Sequence, residues 1–174
     1  MKNVILISGM LLFMIGNLMA QAPVSKKEKR KLEAQQQQMK VKELLEQKAF
    51  TFKVDQVNPQ RGGRVLNVNT DGYTMEIDQQ QVKAYLPYFG RAFSADYGSS
   101  EGGVKFDQPM TDEEIIYDQK KNRTTYSFTI KDKNEKYDCK MTVFDNGNAT
   151  LNISFLRKDP ISYQGKIDNT TIDK

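Results

Sequence analysis

The sequence predicts a mainly β protein: a single curled antiparallel sheet, half-barrel or sandwich-like, of about eight to ten strands, preceded by one N-terminal helix. Three observations predict it. From Phe50 onward, apolar residues recur at every second position, as in Phe50/Phe52/Val54, Tyr126/Phe128/Ile130 and Tyr137/Cys139/Met141/Val143. That is the period of strands with one buried and one wet face, the antiparallel signature. Asp71-Gly72 and Asn146-Gly147 stand between such runs, where pairs of this kind close hairpins. Ahead of Ala49 the composition changes to Lys, Glu, Gln, Leu and Ala, with neither Gly nor Pro after Pro23, and these residues favour helix.

The 174 residues leave room for one domain with appendages. Residues 1–20 read as a signal peptide. Lys2 supplies the positive start, Val4 to Leu18 is nearly all apolar, and Leu18-Met19-Ala20 ends in a small residue suited to cleavage before Gln21. The apolar stretch is shorter than the roughly 20 residues of a spanning helix. The expectation is therefore a periplasmic or secreted protein without stable membrane insertion after cleavage near Ala20. Residues 21–48 form a basic helical extension. Ser25 and Glu28 have the spacing of a capping box. Met39, Val41, Leu44 and Leu45 are the apolar positions expected to dock on the domain.

Residues 49–167 form the β domain and 168–174 a polar tail. The first run, Phe50 to Val54, is broken by Asn58-Pro59-Gln60-Arg61-Gly62-Gly63-Arg64 and resumes over Arg64 to Asn69; Asp71-Gly72 then leads to Tyr73, Met75 and Ile77. Val82, Ala84 and Leu86 give the next strand. Val104 and Phe106 form a short one and Ile115 to Asp118 another, separated by the acidic turn Thr111-Asp112-Glu113-Glu114. The clearest alternation follows, over 126–130, 137–143 and 151–155. Asn146-Gly147 suits a type I′ turn, in which both central residues take positive φ. Asp159-Pro160 stops the run, and Ile161 to Ile167 supplies the last strand. No internal repeat is visible.

Charge and composition exclude more than they assign. The net charge is +4, but 25–48 holds eight basic and four acidic residues, and the rest of the chain is close to neutral. Basicity thus belongs to the extension, which reads as a solvated helix end; no nucleic-acid partner is expected. Cys139 is the one cysteine and the chain has no histidine, so no internal disulfide forms. Cys139 in an alternating row reads as a small core thiol rather than a nucleophile. Metal, cofactor and catalytic residues are all expected to be none: no His/Cys ligand set, no nucleophile elbow and no phosphate loop occur.

The stretch from Tyr85 to Asp107 stands apart. It packs six aromatic residues among four glycines and Arg91. Together with the first irregular loop it nominates a ligand-binding surface of Arg61, Arg64, Tyr88, Arg91 and Tyr97. Arginine forks recognise carboxylates or phosphates, and tyrosine faces stack on sugars. The plainer reading pairs the arginines with Asp96 or Asp107 and puts the rings in the core.

The phrases NPQRGGR (58–64), YLPYFGRAFSADYGSSEGGVKF (85–106), VFDNGNATLNIS (143–154) and ISYQG (161–165) resemble those of an exported family from gut-type Gram-negative (Bacteroidales-type) bacteria, a domain of unknown function of the DUF4251 kind. The resemblance spans about residues 49–167 and implies a small, mainly β envelope domain; it supplies no activity, cofactor or catalytic residue. Members resembling lipoproteins carry a cysteine just after the leader, and this chain departs from them there. The expected function is an exported, non-catalytic binding or envelope-interaction module, with an envelope glycan, an anionic ligand or an envelope protein as partner. The alternatives are a structural or assembly factor of the envelope, or a glycan hydrolase using Asp96 and Glu101 as paired carboxylates.

Overall fold

A computed structural model describes residues 25–60, 64–70, 72–90, 103–132 and 135–170. Residues 1–20, where the sequence suggests a signal peptide, lie outside the described residues. The chain divides into two compact units, Met1–Glu33 and Ala34–Lys174, with helix α1 (Lys26–Gln47) contributing to both. In the first unit, the Ser25 N–H donates to Glu28 Oε2 at 3.1 Å and the Glu28 N–H donates to Ser25 Oγ at 3.2 Å. This is the reciprocal capping box that the spacing predicts, and it satisfies two otherwise orphaned backbone donors.

The second unit is a closed antiparallel barrel. Its strands are β1 (Ala49–Pro59), β2 (Leu66–Asn67), β3 (Thr74–Asp78), β4 (Gln81–Pro87), β5 (Gly103–Asp118), β6 (Arg123–Asp132), β7 (Glu135–Phe144), β8 (Asn148–Phe155) and β9 (Ile161–Asn169). β3 to β9 pair in sequence order, and β1 pairs with both β3 and β9, which closes eight strands into a ring. β2 is the extra strand. It lies beside the second half of β1, with Val57 opposite Leu66 and Gln56 opposite Asn67, while β3 occupies the first half, from Ala49 opposite Asp78 to Lys53 opposite Thr74. Asp71-Gly72 therefore does not close a hairpin between β2 and β3, as the sequence suggested; both strands pair with β1 instead.

Two bulges shape the wall. In β1 the register against β9 slips between Val54 and Gln56, so buried residues change from even positions (Phe50, Phe52, Val54) to odd ones (Val57, Pro59). In β5 it slips against β6 between Thr111 and Glu114, where Asp112 takes φ 54°. An extra residue in one strand reverses which face the following side chains take. The two short strands expected at 104–106 and 115–118 are therefore one sixteen-residue strand, and the acidic segment between them is a bulge, not a turn. Glu113 is turned inward there. It accepts a hydrogen bond from Tyr126 Oη at 2.9 Å and pairs with Lys48 Nζ at 2.7 Å.

Gly165 and Gly147 need to be glycine for different reasons. A Cβ on Gly165 would run into the Lys53 carbonyl oxygen, because β9 and β1 close tightly beside the β1 bulge. Gly147 has φ 84° and donates its N–H to the Phe144 carbonyl at 2.8 Å. Asn146 does not take positive φ, so the expected type I′ turn is replaced by a three-residue loop with one left-handed glycine, the bulged hairpin closure. The Asn146 side chain stabilises it by accepting from the Asn148 N–H at 3.0 Å.

Side chains fill the interior. Phe50, Phe52, Met75, Ile77, Leu86, Tyr126, Ile130, Met141, Leu151, Ile153, Ile161 and Tyr163 are all below 2 % exposed. An eight-stranded barrel is just wide enough for such a core. Cys139 belongs to it; burial, then the nearby Asp138 charge, pushes its thiol pKa up, as expected of a core thiol.

The 34–47 part of α1 covers one end of this barrel. Val41, Leu44 and Leu45 are buried in the core. Met39 is 63 % exposed, contrary to expectation, because two residues of helix carry it about 200° away from Val41. Polar contacts surround the buried patch: Gln38 Nε2 to Asp145 Oδ2 at 2.6 Å, Lys40 Nζ to Asp168 Oδ1 at 3.1 Å, and Lys42 Nζ 4.8 Å above the Tyr117 ring. Lys48, at φ 51°, turns the chain from the helix into β1.

Three substitutions test this packing by urea unfolding. Gly165→Ala is expected to cost about 1–3 kcal/mol by overpacking against backbone that has no room to move. Leu44→Ala is expected to cost about 2–5 kcal/mol, against less than about 0.5 kcal/mol for the exposed Met39→Ala. Equal effects at Leu44 and Met39 would contradict the docking geometry.

Candidate functional site

Around the ring the strand directions sort the connections to one of two ends; the link from β2 to β3 is the exception, with Val68 and Tyr73 bonded to Asp55 and Val54 in the middle of β1. The helix end receives α1, the β3–β4 turn, the β5–β6 turn and the β7–β8 loop. The far end receives the chain after Pro59, after Pro87, between Asp132 and Glu135, and between Phe155 and Ile161. Pairing fixes this: Pro59 stands opposite Ile161, Pro87 opposite Gly103, Asp132 opposite Glu135 and Tyr137 opposite Phe155. The two irregular stretches singled out in the sequence thus leave the barrel at the same end.

Two tyrosines tie β4 to the start of β9 across that end. Tyr163 Oη donates to the Pro87 carbonyl at 2.8 Å and Tyr88 Oη donates to the Asp159 carbonyl at 3.0 Å. A series of rings runs along the same rim. Phe106 and Tyr137 have centroids 4.9 Å apart, Tyr137 and Phe155 5.7 Å, and Phe155 and Tyr88 5.3 Å, the last two edge to face. Such geometry suits the ring quadrupoles. Lys158 Nζ sits 5.5 Å from the Tyr88 centroid and 5.8 Å from that of Phe155, within cation–π range of both. Phe89 and Leu156 are exposed at this end.

Of the five sequence-nominated residues, Arg64 and Tyr88 are described. Arg64 is exposed, on the segment leading into β2. Tyr88 is half-buried and carries the contacts above. Arg61, Arg91 and Tyr97 lie outside the described residues, as do Asp96 and Glu101. Asp107, one of the carboxylates weighed as an arginine partner, accepts from Gln81 Nε2 at 2.5 Å. Lys158 and Phe155 were not anticipated. Their only signal was position: an aromatic strand end and a lysine just ahead of the Asp159-Pro160 stop.

Two clefts lie elsewhere. One, of about 380 Å³, runs over the β1 bulge on the outer wall and is lined by Asp55, Gln56, Asn148, Thr150 and Gln164 among others. The other, of about 250 Å³, separates α1 from the β5–β6 hairpin, between Lys42, Leu45 and Glu46 on one side and Ile115, Tyr117 and Thr124 on the other. Among the described residues no group of three His, Cys, Asp or Glu side chains is placed to hold a metal, and no described helix is long and apolar enough to cross a membrane.

The tyrosines make alkaline pH a probe of this architecture. Burial, then the Asp159 charge, raises Tyr88 to about 12; burial, then the Glu135 and Asp132 charges, raises Tyr137 to about 12. Burial first of all also raises Tyr126 and Tyr163. An unfolded tyrosine ionises near pH 10, so the folded state binds more protons than the unfolded above that pH. Stability from these phenols is complete below about pH 10 and is lost as pH rises towards 12. Thermal unfolding followed against pH should show this decline, with a late step of phenolate absorbance coincident with unfolding. Ionisation of every tyrosine while the barrel stays folded would refute it.

The profile of the domain of unknown function DUF4251 matches residues 32–167. Comparison with curated proteins returns no match. Among solved structures, the crystal structure at 1.95 Å of a DUF4251 family protein from Bacteroides eggerthii DSM 20697 is similar in fold. It has a TM-score of 0.58 and 19 % identity over 76 % of this chain and 87 % of that one. The profile match takes in the docked part of α1 and all nine strands up to Ile167: the chain belongs to the DUF4251 family.

Proposed function

We propose that this protein is an exported, non-catalytic binding module of the Gram-negative envelope that meets an anionic or glycan ligand with the far end of its barrel. The observation that carries the reading is the filled interior combined with the sorting of connections. A barrel packed with side chains has no internal ligand cavity to offer, so recognition falls to a rim or the outer wall. At the far rim stand Arg64, Tyr88 and the Lys158 ammonium held over two rings. Cations beside aromatic faces suit acidic sugars, whose carboxylates pair with the charge and whose ring faces lie on the π system. Arg61, Arg91 and Tyr97 belong to the same two connections and complete the proposed ligand set. Export rests on the leader sequence of residues 1–20.

Calorimetric titration with an oligogalacturonate, and with a neutral maltooligosaccharide as control, tests the ligand class. The acidic sugar is expected to bind, and the double change Arg64→Ala/Lys158→Ala to weaken it by about tenfold or more, equivalent to about 1.4 kcal/mol. The stability change should stay within about 2 kcal/mol, the upper scale of a half-buried cation–π contact. No binding to either sugar, or binding that the double change leaves intact, would overturn the reading. Export is tested separately: mass spectrometry of the protein from an envelope fraction should give an N-terminus at or close to Gln21, whereas an intact Met1 start would exclude leader cleavage.

A further inference from the structure

The β5–β6 hairpin continues past the wall of the barrel at the helix end. β4 pairs with β5 only as far as Gln81 opposite Pro109, whereas β6 pairs with β5 out to Asp118 opposite Arg123. The last backbone tie on the β4 side is the Met110 N–H to the Gln80 carbonyl, at 2.7 Å. Beyond it, β5 has no second strand neighbour among the described residues. The bulge at Asp112 and Glu113 limits this edge at its start and the turn after Asp118 limits it at its end, leaving Glu114–Asp118.

The composition of this edge is unusual for one. Sheet edges are normally blunted by charge, yet Ile115, Ile116 and Tyr117 stand in the middle, 41 %, 52 % and 36 % exposed. Side chains alternate across a strand. Ile115 and Tyr117 therefore face the α1 cleft they line, and Ile116 faces the opposite way, so the edge is apolar on both faces. Charges flank it with opposite signs. Asp112 and Glu114 lie on the N-terminal side, Lys120 and Lys121 on the C-terminal side, and all four are exposed.

We propose that Glu114–Asp118 is a self-pairing edge through which two copies of this chain join strand to strand, antiparallel, about a twofold axis at Ile116. Charge complementarity selects a second copy as the occupant. Antiparallel pairing brings each copy's Asp112 and Glu114 towards the other's Lys120 and Lys121. It sets Ile116 against Ile116 and Ile115 against Tyr117, the apolar cross-strand pairs that stabilise sheets. Glu114 then faces Asp118, whose carboxylate already accepts the Lys120 and Lys121 N–H groups at 3.1 and 3.2 Å and lies 4.0 Å from Arg123 Nε. A twofold contact of this kind is closed, so it ends at the dimer rather than growing a fibre. Five residues a side make a small interface, and the association is weak and reversible.

Sedimentation equilibrium on the full chain, from micromolar to near-millimolar protein, is the test. Monomer and dimer are expected in reversible equilibrium. Ile116→Lys, which puts a charge on the edge, should weaken dimerisation by about tenfold or more while leaving the unfolding midpoint in urea unchanged. Glu114→Lys and Lys120→Glu should each self-associate less than wild type, and an equimolar mixture of the two should associate more strongly than either alone. A wild type that remains monomeric over the whole range overturns the proposal. So does a dimer indifferent to Ile116→Lys, or a charge-reversed pair that mixing does not restore.

Discussion

Pairing of β1 along both of its edges is the constraint on which the rest of the structure depends. Without the β1–β9 ladder, the meander from β3 to β9 would be an open sheet with a nine-residue edge strand and its backbone groups unpaired. With the ladder, the sheet curls fully, the inward faces converge and one core is enclosed. Closure has a local cost in side-chain freedom: where β1 bulges, β9 comes so near that only glycine fits at 165. The ISYQG phrase that carries part of the family resemblance thus has a steric reason at its last position. Closure also sets where function can reside, since the same convergence that stabilises the core consumes the interior.

The fold was legible wherever period-two alternation ran uninterrupted, and became illegible at the bulges. Tyr126 to Ile130, Tyr137 to Val143 and Leu151 to Phe155 have unbroken ladders, and their strands were read correctly from the sequence. β1 and β5 change phase partway. A phase change moves the buried set from even to odd positions, and to a reader of alternation this resembles the end of a strand. Hence β1 was followed only to Val54, and β5 was read as two pieces with an acidic turn between them. The partner of a two-residue strand such as β2 is likewise invisible in sequence, because Asp-Gly marks a turn but not which strands flank it in space.

The candidate site divides in the same way. That the stretches after Pro59 and after Pro87 share one end follows from strand parity, and the sequence placed both among its candidates. The Tyr88–Phe155–Lys158 arrangement was beyond reach, because it joins residues about 70 positions apart through barrel closure rather than through local pattern. Tyr88 also shows why aromatic-rich connections are hard to classify. One ring donates to the Asp159 carbonyl, packs edge-on against Phe155 and carries a lysine above it, so it supports the β8–β9 connection and offers a cationic aromatic surface at once.

The two barrel ends are differently committed. At the helix end, three apolar side chains supply the burial, and the surrounding ion pairs are half-exposed contacts of the kind worth at most about 1 kcal/mol each. Their value is directional: together with the Gln38–Asp145 hydrogen bond, Lys40 to β9 and Lys48 to the β5 bulge tie this part of the helix to the barrel at three separate points. The Lys48–Glu113–Tyr126 link extends this into the core, so the β5 bulge has a structural role beyond interrupting the strand. It aims Glu113 at the helix junction and carries the rest of the hairpin beyond the wall. The exposed β5 edge thus starts where the anchoring of the helix stops, while the far rim is held differently, by the Tyr163 and Tyr88 hydroxyls on the Pro87 and Asp159 carbonyls.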